Sequence, residues 1–117
     1  MSLKALSADE RQVVFACLAA AAHGPFFDDE EFHTLIGLDR HEVAAIAAAA
    51  PDIDDADEAV LLAINNSLNN LLWYPHREEE AWESLIPASP EEVWRIFNKW
   101  RGGDGPAGDR AYWQALM

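Results

Sequence analysis

Phe27-Asp28-Asp29-Glu30-Glu31-Phe32 and Leu38-Asp39-Arg40-His41-Glu42-Val43 are one phrase written twice. In each, an aspartate stands where its carboxylate can accept the free N–H groups of a starting helix. A glutamate three residues later can reach back to the aspartate's own N–H, and apolar residues stand just before the aspartate and just after the glutamate. That is a capping box inside a hydrophobic staple, and it predicts helix starts at Asp28 and Asp39. Gly37 lies between them as the stop of the earlier helix, after the apolar Leu35 and Ile36. Two complete start signals so close together leave no room for a strand between them.

Toward the N-terminus the same grammar recurs. Ser7 with Glu10 opens a helix whose stripe is Val14, Cys17, Leu18 and Ala21. His23-Gly24-Pro25 ends it, with Gly24 expected in the left-handed conformation. Toward the C-terminus, Ile46 and a run of alanines continue the third helix until Pro51, and the alanines would let a neighbour approach closely. A longer helix is predicted from within Asp54-Asp55-Ala56-Asp57-Glu58 to about Trp73, with Leu61, Ile64, Leu68 and Leu71 on one face. A short one follows from Glu78 to Leu85, presenting Trp82 and Leu85. Ser89-Pro90-Glu91-Glu92 opens another, with Val93, Ile96, Phe97 and Trp100 as its buried stripe and Gly102 as its stop. Residues 102–109 read as a flexible linker to a short C-terminal helix carrying Tyr112, Trp113 and Leu116. No stretch alternates in the manner of a strand. The expected architecture is all-α: a single domain over residues 1–117, an irregular, orthogonal bundle of about five to seven short helices.

A chain of 117 residues, half of them apolar or aromatic, is long enough for a core of its own. Its single cysteine excludes an internal disulfide, and Cys17 in an apolar run reads as a small buried hydrophobe. The start of the chain carries no secretory pattern and no segment is apolar enough to span a bilayer, so a cytoplasmic location is expected. The net charge of -13 is the strongest compositional signal. It disfavours nucleic acid, anionic membranes and nucleotides as main ligands and permits basic proteins. Most of the 21 acidic residues fall at positions read as first helical turns, where they cap N–H groups and face the positive end of the helix dipole. Capping accounts for their positions, not for the presence of only 8 Lys and Arg to balance them.

Candidate sites are few. Phe26 to Ile46 has a helix-turn-helix outline, but its second helix opens Arg40-His41-Glu42 and then turns to alanine, without the basic footprint of a DNA reader. Asn65, Asn66, Asn69 and Asn70 crowd one helix although asparagine is a poor helix former. Either they form a polar strip that grips a partner's backbone, or some of them tie down neighbouring loops, Asn65 first among them. On a helical wheel Asn66 and Asn70 lie opposite the Leu–Ile face. His23, His33, His41 and His76 show no metal-ligand spacing; His23 and His76 suit helix C-terminal ends. No metal, cofactor or catalytic constellation is expected. Among the aromatics, Trp73, Tyr74, Trp82, Trp94, Trp100, Tyr112 and Trp113 divide between core packing and exposed anchors.

Trp73-Tyr74-Pro75, the acids that follow, Ser89-Pro90 and finally Trp100-Arg101 resemble the immunity proteins of nuclease colicins, which carry a Tyr-Tyr-Pro motif, acids and a last helix ending near Trp-Arg. The resemblance implies an acidic surface that masks a basic nuclease. It is confined to residues 73–101, with Trp73 in place of the first tyrosine, wider spacing and a different N-terminal half. The leading expectation is a non-enzymatic, protein-binding or inhibitory module for a basic partner, with Tyr74, Glu78, Glu79, Glu80 and Trp82 as contact residues. Two alternatives are a small-ligand or metal site in a cleft near His33, His41 and Asp28, and a structural subunit of a homodimer. The chain is expected as a monomer or homodimer.

Overall fold

The computed structural model describes residues 2–102, and five of its six α-helices begin at a start signal read in the sequence, the short fifth being the exception. The six are α1 (Ala8–His23), α2 (Asp29–Ile36), α3 (Arg40–Ala49), α4 (Glu58–Trp73), α5 (Glu79–Leu85) and α6 (Pro90–Trp100), preceded by a 3-10 turn, Leu3–Ala5. No strand occurs among the described residues. The linker and C-terminal helix expected beyond Gly102 lie outside them.

The local chemistry of the starts is specific. Ser7 Oγ accepts from Glu10 N at 3.1 Å and Glu10 Oε1 accepts from Ser7 N at 2.8 Å, closing the box on α1. Glu42 Oε1 accepts from Asp39 N at 3.0 Å at the start of α3. Asp57 caps α4, and Ser89 caps α6 ahead of Pro90. The start of α2 differs from its reading: Asp28 occupies the cap position without a side-chain cap bond, and Glu31 bonds the Tyr74 hydroxyl instead. The staple around it does form, with Phe27 and Phe32 rings packed edge-on at 6.3 Å. Gly37 (φ 83°) and Gly102 (φ 85°) are the left-handed stops. Gly24 is not: its φ of -84° is open to any residue. A Cβ there would lie 2.6 Å from the Ala20 carbonyl oxygen and 2.9 Å from the Phe26 ring, so close approach, rather than backbone freedom, requires the glycine.

Two long helices organise the bundle. α1 packs against α3, α4, α5 and α6, and α4 packs against α1, α2, α3 and α6. The most extensive pair is α1 with α3, where alanines line both helices and let the backbones approach. Val14, Cys17, Leu18 and Ala21 are fully enclosed, as the stripe predicts, and so are Ile64, Leu68, Val93 and Trp100. Burial pushes the Cys17 thiol up to about 12, because a thiolate there would have no solvation.

Two polar residues lock the body. Arg40 sends Nε to Asp29 (2.9 Å), one terminal nitrogen to Ala22 O (2.9 Å) and the other to Phe27 O (2.7 Å), while its guanidinium lies 4.5 Å from the centre of the Phe32 ring. One planar fork thus joins α1, the following loop, α2 and α3, which a lysine could not do. Asp55 Oδ2 accepts from Leu3 N at 2.7 Å and from the Trp100 indole N–H at 2.9 Å. Ser2 N also donates to Trp100 O at 2.9 Å. These bonds fasten the opening turn to the end of α6.

Candidate functional site

The corner where α4 hands over to α5 is built by directional contacts of His76. Tyr74 ends α4, and Pro75 forbids its continuation. The chain then turns through His76 and through Arg77, whose φ of 58° is unusual for a residue with a Cβ. His76 Nδ1 accepts from Glu78 N at 3.0 Å, so its proton resides on Nε2, which donates to Leu71 O at 2.9 Å. The ring thus satisfies a carbonyl in the last turn of α4. It also stacks on Trp82 (20° between planes) and meets Phe26 edge-on at 4.9 Å.

Trp82, expected as a partner contact, belongs to the core. It is 5 % exposed, and its indole N–H donates to Ala88 O at 2.8 Å. The physical reason is the length of α5: a seven-residue helix needs an apolar anchor, and Trp82 is the buried residue that supplies it. Leu85, by contrast, is 45 % exposed. Tyr74 is half-buried and at the surface, its hydroxyl donating to Glu31. That bond, reinforced by the negative charge of Glu31, pushes the phenol above its ordinary value. Glu79 and Glu80 are exposed and Glu78 is half-buried.

Between the end of α4 and α5 runs a half-open groove of about 400 Å³. Leu71, Leu72, Pro75, Trp82 and Pro90 supply its apolar lining, and Arg77, Glu79 and Glu83 its charges. From Glu78 to Glu92 the chain carries six glutamates and no lysine or arginine. A smaller hollow of about 280 Å³ uses Pro87, Glu92 and Ile96 of the next stretch together with Asp9 and Glu10 of α1.

The asparagines resolve into structural roles. Asn66 Nδ2 donates to Ile36 O at 2.8 Å, and Asn70 Nδ2 to Leu35 O at 3.1 Å. Both close carbonyls at the end of α2. Asn65, expected to be the chief internal tie, donates to its neighbour Asn66 at 3.0 Å. Asn66 and Asn70 do lie opposite the Leu–Ile face, as the wheel has them, and α2 packs on that side of α4.

His33, His41 and Asp28, the residues named for a small-ligand or metal cleft, are all exposed. His33 is exposed, 4.0 Å from Asp39. Ligand atoms of Asp39, His41 and Glu42 lie within 4.8 Å of one another, but all three residues are exposed and Glu42 is already engaged in capping α3. Asp28 is not among them, and neither hollow described above is lined by these residues. Arg40, which opened the suggested recognition helix, is consumed by the lock at α1–α3. Among the described residues no helix is long and apolar enough to cross a membrane.

No protein-family model matches this chain, and neither does any curated protein or solved structure. The site must therefore be read from its own residues. Asp55 and Arg40 were missed as organising residues in the sequence. Asp55 is hidden in a run of cap-like acids; Arg40 had a signal, a lone cation inside a capping box, but nothing local names its carbonyl partners.

Proposed function

We propose that this chain is a non-enzymatic protein-binding domain whose acidic surface meets a basic partner, an immunity- or antitoxin-like inhibitor being one concrete form. The observation that carries the reading is uncompensated charge. Eight cations face 21 carboxylates, and several of those cations are engaged by neighbouring groups of the fold. Arg40 serves three partners, Arg11 donates to the carbonyls of Leu3 and Leu6, Lys99 pairs with Glu10 at 2.9 Å, and Arg101 lies over the Phe97 ring. What projects outward is chiefly negative, and Asp28 to Glu31, Asp52 to Glu58 and Glu78 to Glu92 are acidic runs without a lysine or arginine. Such a surface speeds encounter with a cationic protein and rejects acidic ones.

The test is binding of the purified chain to a basic candidate partner, beginning with the product of a neighbouring gene, titrated with salt. Affinity should fall steeply as ionic strength rises and the Debye length shrinks. A complex equally tight at low and high salt would remove the proposal.

A further inference from the structure

We infer that the groove between the end of α4 and α5 seats one segment of that basic partner, a stretch in which a large apolar side chain stands beside an arginine or lysine. This rests on the acidic-surface reading and adds the place and pattern of contact. The lining decides the pattern. Leu72, Pro75 and Pro90 offer apolar surface, with Leu71 and Trp82 packed beneath it, while Glu79 and Glu83 stand among the same lining residues. A purely cationic segment would leave the apolar floor unused. A neutral apolar ligand would cover the two carboxylates without replacing their hydration, which is costly. A segment with both features satisfies both.

The shape decides the kind of occupant. A volume of about 400 Å³ falls at the lower end of ligand sites, yet the groove is half-open, whereas small-molecule sites enclose roughly 70–90 % of the ligand. A chain segment that continues beyond both ends suits such a trough. The walls are already set: the His76 bridge holds Leu71 to Glu78, Trp82 is tied to Ala88, and Tyr74 to Glu31. Binding therefore orders little of this chain, which favours affinity. Arg77 is the sole cation in the lining. It repels a cation placed against it and so biases the partner's charge toward Glu79 and Glu83, which fixes orientation.

The experiment is an NMR titration of the full chain at low salt with three synthetic peptides of equal length. One alternates leucine with arginine, the second has glycine in place of leucine, and the third has glutamine in place of arginine. The first should shift the amides of Leu71 and Leu72 and the Trp82 indole resonance saturably, and the other two should not. Glu79→Gln with Glu83→Gln, both at exposed positions, should weaken the first peptide about tenfold, the equivalent of about 1.4 kcal/mol. If the leucine–arginine peptide leaves the groove resonances still, or either control moves them as strongly, the groove assignment is overturned. Arginine–glycine binding spread over the exposed acids would leave the acidic-surface reading standing alone. That reading has its own salt titration, so the two fail separately.

Discussion

Replacing Asp55 by alanine removes one oxygen that accepts two hydrogen bonds from distant parts of the chain. The Leu3 N–H, at 2.7 Å, is part-buried and belongs to a residue of the core, so it too loses its partner. The Trp100 indole N–H, at 2.9 Å, belongs to a side chain with no exposed surface. A hydrogen bond to a charged group contributes about 1.5–3 kcal/mol, and an orphaned buried donor costs about 1–3 kcal/mol. Asp55 is half-buried, so the lower ends apply, and the expected loss is about 2–3 kcal/mol. Against a typical stability of about 5–15 kcal/mol that is a large fraction. Asp55→Asn keeps an acceptor and should lose about half as much. The assay is urea unfolding followed by far-UV circular dichroism, with Asp54→Ala as the neighbouring control. A double-mutant cycle with Trp100→Phe, which deletes the donor, should show coupling of at least about 1 kcal/mol. An Asp55→Ala protein within about 0.5 kcal/mol of the parent, the range of ordinary surface substitutions, would refute the claim that this carboxylate fastens the opening turn to α6.

Arg40→Lys keeps the charge but cannot reproduce the fork to Asp29, Ala22 and Phe27, and should cost about 2 kcal/mol in the same assay; an unchanged midpoint would show that the lock is ornamental. Ser67 is fully buried and its hydroxyl has no hydrogen-bond partner among the described residues, so Ser67→Ala should raise stability by about 1 kcal/mol, and a loss would mean the hydroxyl is satisfied in solution. Cys17 makes stability depend on alkaline pH. Its folded thiol is raised from 9.0 to about 12, so above pH 9 the unfolded chain releases a proton that the folded one keeps. The stabilisation is complete below pH 9 and should decline by about 1.4 kcal/mol per pH unit between there and pH 12. Comparing urea midpoints of the parent and Cys17→Ala from neutral to alkaline pH isolates this slope; parallel curves would contradict it.

Helix starts were legible because caps are local: Ser7 with Glu10, Asp39 with Glu42 and Ser89 before Pro90 need only their own next turn. The buried stripes of α1 and α6 followed from spacing for the same reason. What escaped the sequence is what depends on distant partners. Asp55 looks like its capping neighbours until Leu3 and Trp100 are brought to it. Glu31 looks like a box partner until Tyr74 arrives across the fold. The wheel set Asn66 and Asn70 opposite the Leu–Ile face, but nothing local says that the end of α2 lies there to be tied down. Trp82 stands among glutamates and reads as an exposed anchor, but the short α5 has to bury it. At the candidate site, Tyr74 and the three glutamates were named from sequence, whereas the apolar trough beside them was not, because Leu71 and Leu72 read only as part of the long helix.

The bond from Ser2 to Trp100 has a topological consequence. A polypeptide that enters this body at Ser2 and leaves after Trp100 does so at nearly one point, like a pendant on a ring. The helical unit can therefore hang from a single loop of a host protein without prising that loop apart. Its glutamate-rich corner would then be carried as a cassette, presented wherever the host's loop projects.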